Sequence, residues 1–201
     1  EAGQYLAARL EQFGLAGAGV DGGYFQPFEP GFRNVLGLLE GSDPNRKQQV
    51  VIVGAHYDHL GYGTKRNSRG PVGQIHNGAD DNASGTSALL ELIEAFTFLA
   101  EPPRRSILFA FWDAEEKGML GSKHWISHPT FSLAQVVVTL DVDMIGRLRE
   151  DRLSVFGTRT GHGWRRLLSQ GNEQSALQLD FSWEFKPNGD HWPFFQRDIP
   201  T

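Results

Sequence analysis

Residues 50–59 read VVIVGAHYDH. The first six form an unbroken apolar run rich in β-branched side chains, the pattern of a strand buried on both faces. The last four turn abruptly polar and bring two imidazoles and a carboxylate to the strand's end. Two more runs of the same kind follow, SILFAFW at 106–112 and AQVVVTL at 134–140. Between the first two, Ala83 to Ala100 carries apolar residues at 89, 92, 93, 96 and 99, a helical spacing, before Pro102 and Pro103. Strands alternating with helices predict an α/β three-layer sandwich, with a mainly parallel or mixed central sheet flanked by helices. In such sheets ligands bind beyond the carboxyl ends of the strands, where the polar clusters of this chain fall.

Working outward, Tyr5, Leu6, Leu10 and Phe13 predict an opening amphipathic helix that stops at Gly14. Arg33 to Leu39 reads as a strand, and Gly41 to Lys47 as a polar turn. His59 to Asp80, rich in Gly, Asn and Arg, reads as a long functional loop. Gly118 to His128 and Gly163 to Ala176 read as helices, and Leu153 to Phe156 as a short strand. Because the chain opens directly on a helix, it is expected to start inside a mature domain. The whole span, 1–201, is read as one domain.

Composition narrows the function. The 201 residues are 39% hydrophobic and 21% charged, the balance of a globular chain. A net charge of −5 without a basic face argues against a nucleic-acid partner. No apolar run approaches the ~18 residues that span a bilayer. Cysteine is absent, which excludes disulfides, thiol catalysis and cysteine-ligated zinc.

Four segments place acids or imidazoles after a strand or at a loop-to-helix junction: Gly54 to Asp58, Gly78 to Gly85, Asp113 to Glu116, and Leu140 to Met144. Alone, each has an ordinary explanation. A His after a strand is commonly a hydrogen-bonded structural residue, a Glu-Glu pair a solvated surface, and a Gly-rich Asp/Asn loop a turn. Together they crowd carboxylates at one rim, where mutual repulsion calls for a cation. Mixed His and carboxylate ligation suits zinc, with cobalt or manganese as substitutes.

The motifs GAHYDH, NGADDNASG, FWDAEEKGMLGS, LDVDMIGR and GDHWPFF occur in this order from about Val50 onward. In them the chain resembles the co-catalytic zinc aminopeptidases of the MH clan, relatives of bacterial leucyl aminopeptidases and glutamate carboxypeptidase. The resemblance implies a zinc-dependent exopeptidase acting on peptide N-termini, with two zinc ions in the complete enzyme. It makes His56 a ligand of one zinc and Asp58 the partner that orients its imidazole. Asp81 becomes the bridging carboxylate, Glu115 the general base, Glu116 a ligand of the second zinc, and Asp143, rather than Asp141, the acid that completes the first site. It also implies a cis peptide between Asp81 and Asn82, and a secreted or periplasmic location. A single-zinc glutaminyl cyclase and a non-catalytic binding domain are the alternatives on this fold.

The family pattern continues past GDHWPFFQRDIPT into another strand and a loop bearing the fifth zinc ligand, a His. The expectation is therefore a domain lacking its C-terminal part. Its second site would hold only Asp81 and Glu116, its activity would be low, and its exposed sheet edge would invite pairing between copies. His59 and His191 are not expected to bind metal. His76, His124, His128 and His162 are read as surface or loop residues, and Phe111 and Trp112 as core. Ser84 is not read as a nucleophile, and Asp80 and Asn82 are expected to hold the loop of Asp81 in shape.

Overall fold

The computed structural model describes residues 1–67 and 70–201. Ser68 and Arg69, within the loop expected between His59 and Asp80, lie outside the described residues. In chain order the elements are α1 (Ala2–Gln12), β1 (Ala16–Gly17), β2 (Phe25–Phe28), β3 (Phe32–Leu39), β4 (Val50–His56), β5 (Gly61–Tyr62), β6 (Ile75–His76) and α2 (Ala83–Thr97). They continue with β7 (Ser106–Trp112), α3 (Leu120–Ser127), β8 (Val136–Asp141), β9 (Arg152–Val155), α4 (Trp164–Gly171), β10 (Gln178–Phe181) and α5 (Trp192–Phe195).

The central sheet runs β1-β3-β7-β4-β8, with β2 also paired to β3. Strand β3 is antiparallel to β1, β2 and β7, while β7, β4 and β8 are mutually parallel neighbours. The sheet is therefore mixed. Its alternating side chains feed two cores. On one face Val35, Val53, Ala55, Ile107, Phe109 and Phe111 meet Leu6 and Leu10 of α1 and Leu89 and Ile93 of α2. On the other, Leu36, Ile52, Leu108, Ala110 and Trp112 meet Trp125 and Ile126 of α3 and Phe194 of α5. Full burial of a large apolar side chain contributes roughly 1.5–3 kcal/mol. Strands β4 and β7 are thus buried on both faces and anchored in two cores.

The register of these strands sets the position of the polar residues. In the parallel register His56 pairs with Trp112, and Gly54 with Asp141, so β4, β7 and β8 end at one rim. Helix α2 begins at the same rim, where the Asn82 side chain caps it by accepting the Gly85 N–H at 2.9 Å. The expected loop after His59 contains a short antiparallel pair, β5 with β6. Strand β8 ends the sheet, and its Thr139 N–H donates to the Pro200 carbonyl at 2.9 Å. The outer edge of β8 thus carries a contact from the chain itself. Strands β9 and β10 pair in parallel with each other, apart from the main sheet. Among the described residues no helix is long and apolar enough to cross a membrane.

Candidate metal centre

His56 is the last residue of β4 and is only 2% exposed. Its Nε2 lies 3.2 Å from Asp81 Oδ1 and 3.4 Å from Asp143 Oδ1. Among the described residues neither His56 Nε2 nor Asp143 Oδ1 has a hydrogen-bond partner, although both are buried. Donors on a tetrahedral zinc, with bonds of ~2.0–2.2 Å, stand ~3.3–3.6 Å apart. The three side chains therefore have the donor types, and nearly the spacing, that a zinc ion needs. Burial opposes the charged form of His56. The Asp143, Asp58 and Asp81 carboxylates outweigh it and hold the imidazole pKa well above its usual value. Asp81 shifts the opposite way, lowered chiefly by its contact with His56. Without a cation, a proton on His56 balances the acids.

The loops bearing the two acids are clasped together by one residue. Asn82 Oδ1 accepts the N–H groups of Gly85 at 2.9 Å and Met144 at 3.3 Å, and its Nδ2 donates to the Val142 carbonyl at 2.9 Å. Asp80 adds a second tie by accepting the Gly146 N–H at 2.8 Å. Ser84 Oγ donates to the Asp80 carbonyl at 2.6 Å and accepts the Ile145 N–H at 3.1 Å, a structural use of the hydroxyl. The Asp81–Asn82 peptide is cis.

Beyond β7, Ala114 and Gly118 both take left-handed backbone conformations and bracket a short 3₁₀ turn, Glu115–Lys117. An alanine seldom adopts that conformation, and here it turns the Glu pair back toward the rim. Burial pushes the Glu115 carboxyl up to about 7; His56 opposes this, while Asp143, Glu116 and Asp58 add to it. Burial, and then the charge of Asp81, also raise Glu116.

Asp58 meets His56 and the Glu pair through different groups. The group nearest His56 Nδ1 is its main-chain carbonyl, at 3.2 Å, with its carboxylate at 3.6 Å. The carboxylate instead accepts the N–H groups of Glu115 at 2.9 Å and Glu116 at 3.3 Å.

A second cluster joins Asp81 and Glu116 with a residue that sequence reasoning had set aside. His59 Nδ1 lies 2.7 Å from Glu116 Oε1, and the donor atoms of His59, Asp81 and Glu116 all fall within 4.8 Å of one another. The spacing His56-x-x-His59 was visible, but the fold of the Asp81 loop that brings it into use was not. Asp81 belongs to both clusters. His191 and Asp141 lie in neither; they contact each other, the His191 N–H donating to Asp141 Oδ2 at 3.3 Å. Phe111 and Trp112 are fully buried core residues.

Comparison with known proteins identifies the family. The model of Peptidase family M28 matches residues 34–201. The chain belongs to peptidase family M28. Among its relatives, Aminopeptidase YwaD of Bacillus subtilis is 28% identical over 173 residues, covering 84% of this chain and 34% of YwaD. Probable glutamate carboxypeptidase AMP1 of Arabidopsis thaliana is 39% identical over 114 residues, covering 55% of this chain and 14% of the relative. The chain thus spans about a third or less of these curated relatives. The crystal structure of the Legionella pneumophila LapA aminopeptidase shares the fold, with a TM-score of 0.75 at 22% identity over 98% of this chain and 52% of LapA. BSAP, a zinc aminopeptidase from Bacillus subtilis, gives a TM-score of 0.65 at 26% identity, over 83% of this chain and 38% of its own.

Proposed function

We propose that this M28 chain carries the metal centre and general base of a zinc-dependent aminopeptidase, which hydrolyses the N-terminal bond of peptides. The observation that carries the reading is the buried, unpartnered Nε2 of His56 between Asp81 and Asp143, beside Glu115. In this reading His56, Asp81 and Asp143 hold one zinc ion. Asp81 and Glu116 would together hold a second ion. Zinc bound there would supply Lewis acidity, which lowers the pKa of water and polarises a carbonyl.

The remaining chemistry belongs to the side chains. Glu115 takes the proton of the attacking water and passes it to the leaving amine. Its raised pKa suits that exchange, because a carboxylate near 7 both accepts and returns a proton at neutral pH. Asp58 fixes the Glu115 and Glu116 backbone relative to His56. The names of YwaD and BSAP support an aminopeptidase. The test is a panel of aminoacyl substrates assayed with and without added zinc, alongside a glutaminyl peptide. Zinc-dependent release of N-terminal residues supports the reading. Pyroglutamate formation without hydrolysis replaces it with a cyclase.

A further inference from the structure

We infer that Asp113 and Tyr57 are positioning residues, which together brace the turn that carries Glu115; this rests on the zinc-peptidase reading, in which Glu115 is the base. Asp113 belongs to neither acidic cluster.

The turn needs a brace. Ala114 (φ 58°), Gly118 (φ 99°) and Met119 (φ 60°) are all left-handed. Glycine takes that conformation freely, whereas alanine and methionine keep it only where their surroundings over-determine it. Three ties do so here. At the base, the buried Asn34 accepts the Asp113 N–H through Oδ1 at 3.1 Å and donates to the Gly121 carbonyl at 2.9 Å. The Gly121 N–H in turn donates to the Asp113 carbonyl at 2.9 Å. At the top, the Asp58 carboxylate accepts the Glu115 and Glu116 N–H groups. Between them stands the Asp113 carboxylate. Its Oδ1 accepts the Ala114 N–H at 2.9 Å, and its Oδ2 accepts the Arg33 N–H of β3, also at 2.9 Å.

Tyr57 completes the middle tie. Its hydroxyl lies 3.1 Å from Asp113 Oδ2 and 2.7 Å from the Arg33 carbonyl, so one proton serves two acceptors. Its own N–H donates to the Trp112 carbonyl at 2.9 Å, beside Asp113. Helix α1 packs on the pair: a Cβ on Gly3 would stand 3.3 Å from the Tyr57 hydroxyl. Tyr57 and Asp58 are consecutive, and they hold the same turn at two places, its entry and the Glu pair. Three successive N–H groups, of Ala114, Glu115 and Glu116, thus end on carboxylates. Without the Asp113 carboxylate, Ala114 loses the contact that favours its left-handed form, and the turn can relax. A displacement of about 1 Å at a reacting group costs ~10²-fold in rate.

The experiment compares Asp113→Ala and Tyr57→Phe with a control, Ser106→Ala. Ser106 begins β7, at the end away from Asp113, and its hydroxyl is likewise bonded inside the fold, donating to the Lys47 carbonyl and accepting the Gly41 N–H. For each protein, kcat, KM, bound zinc, urea unfolding and amide exchange of the ¹⁵N-labelled chain are measured. Asp113→Ala should lower kcat by ~10²-fold and Tyr57→Phe by a smaller factor, with KM and bound zinc unchanged. In both, exchange should quicken at residues 114–116 beyond the change in global stability. Ser106→Ala should lose stability and keep kcat. Tyr57→Phe, which removes a single oxygen, decides the matter if Asp113→Ala fails to fold. If both variants lose stability but keep kcat per folded molecule, or if exchange at 114–116 quickens no more than in the control, the pair serves the fold alone and the inference is overturned while the peptidase reading stands. If the wild type shows no zinc-dependent turnover on any aminoacyl substrate, that reading fails and this inference fails with it.

Discussion

The carboxylate of Asp58 accepts the backbone N–H of Glu115 at 2.9 Å, while its main-chain carbonyl lies 3.2 Å from His56 Nδ1. One residue thus couples the imidazole to the Glu115 backbone by two different groups. An Asp58→Asn change keeps the carbonyl but loses a charged acceptor shared by the Glu115 and Glu116 N–H groups. Turnover should fall by roughly 10–100-fold, with little change in zinc affinity at the His56 cluster. A loss of zinc affinity as large as the loss of turnover would mean that the carboxylate, not the carbonyl, orients His56.

Glu115 precedes Glu116 in the turn, and its carboxyl is held near 7 by burial. Replacement by Gln keeps the shape and removes the proton acceptor. Turnover should fall by ~10²–10⁴, and bound zinc should remain at the wild-type level by metal analysis. Full activity in Glu115→Gln would exclude it as the base.

The sequence exposed the strands that matter most because they are buried twice over. Strands β4 and β7 send alternate residues into two separate cores, so their apolar runs are continuous. Weaker elements left weaker traces. Strand β2 is only FQPF, with a proline inside and one neighbour, and β10 pairs only with β9. Helix α4 is expected to reach Ala176 but ends at Gly171. The Asn172 side chain both donates to the Leu177 carbonyl, at 2.7 Å, and accepts its N–H, at 3.1 Å, closing the chain into a turn. Helix α3 starts at Leu120 rather than Gly118 because Gly118 and Met119 are both left-handed. At the site, acids that follow strands were legible from their position. The convergence of His59 was not, since it depends on how the Asp81 loop folds back over 21 intervening positions, a feature without local periodicity.

Zinc removal should destabilise the fold. The His56 cluster presents acids whose repulsion a cation relieves, and a ligand bound only to the native state stabilises by mass action. At a free zinc concentration ~100 times Kd this contributes about 2.7 kcal/mol. For a chain of this size that corresponds to a Tm rise of roughly 5–10 °C. Calorimetric scans of chelator-treated protein, with and without zinc restored, measure it. Identical scans would argue that no ion binds specifically.

Asp190 is buried, 2% exposed, and accepts a hydrogen bond from Ser122 Oγ at 2.5 Å. Burial, then the charge of Asp141, push its pKa well above the usual value, with the Ser122 bond opposing. The native state therefore holds this proton more tightly than the unfolded chain. The resulting stability is complete below the unfolded pKa of about 3.9 and is lost as pH rises through the folded value. Asp190→Asn removes that decline. Urea unfolding of both proteins from pH 5 to 9 should show the variant gaining on the wild type as pH rises. Parallel curves would mean that Asp190 is already ionised in the fold.

Asn82 joins helix capping to the placement of Asp81 and Asp143. It is 1% exposed and satisfies the Gly85 and Met144 N–H groups and the Val142 carbonyl. The first contact anchors α2 beside Asp81, and the other two anchor the segment bearing Asp143. Losing an N-cap costs about 1 kcal/mol, and leaving buried partners unmet costs a further ~1–3 kcal/mol. Asn82→Ala should therefore be less stable by roughly 2–4 kcal/mol. Because the two acids would no longer be clasped, zinc affinity at the His56 cluster should fall in the same variant. Denaturation and zinc titration on one preparation separate the two effects. Reduced stability with undiminished zinc affinity would show that Asn82 serves the helix alone and that Asp81 and Asp143 keep their spacing by other means.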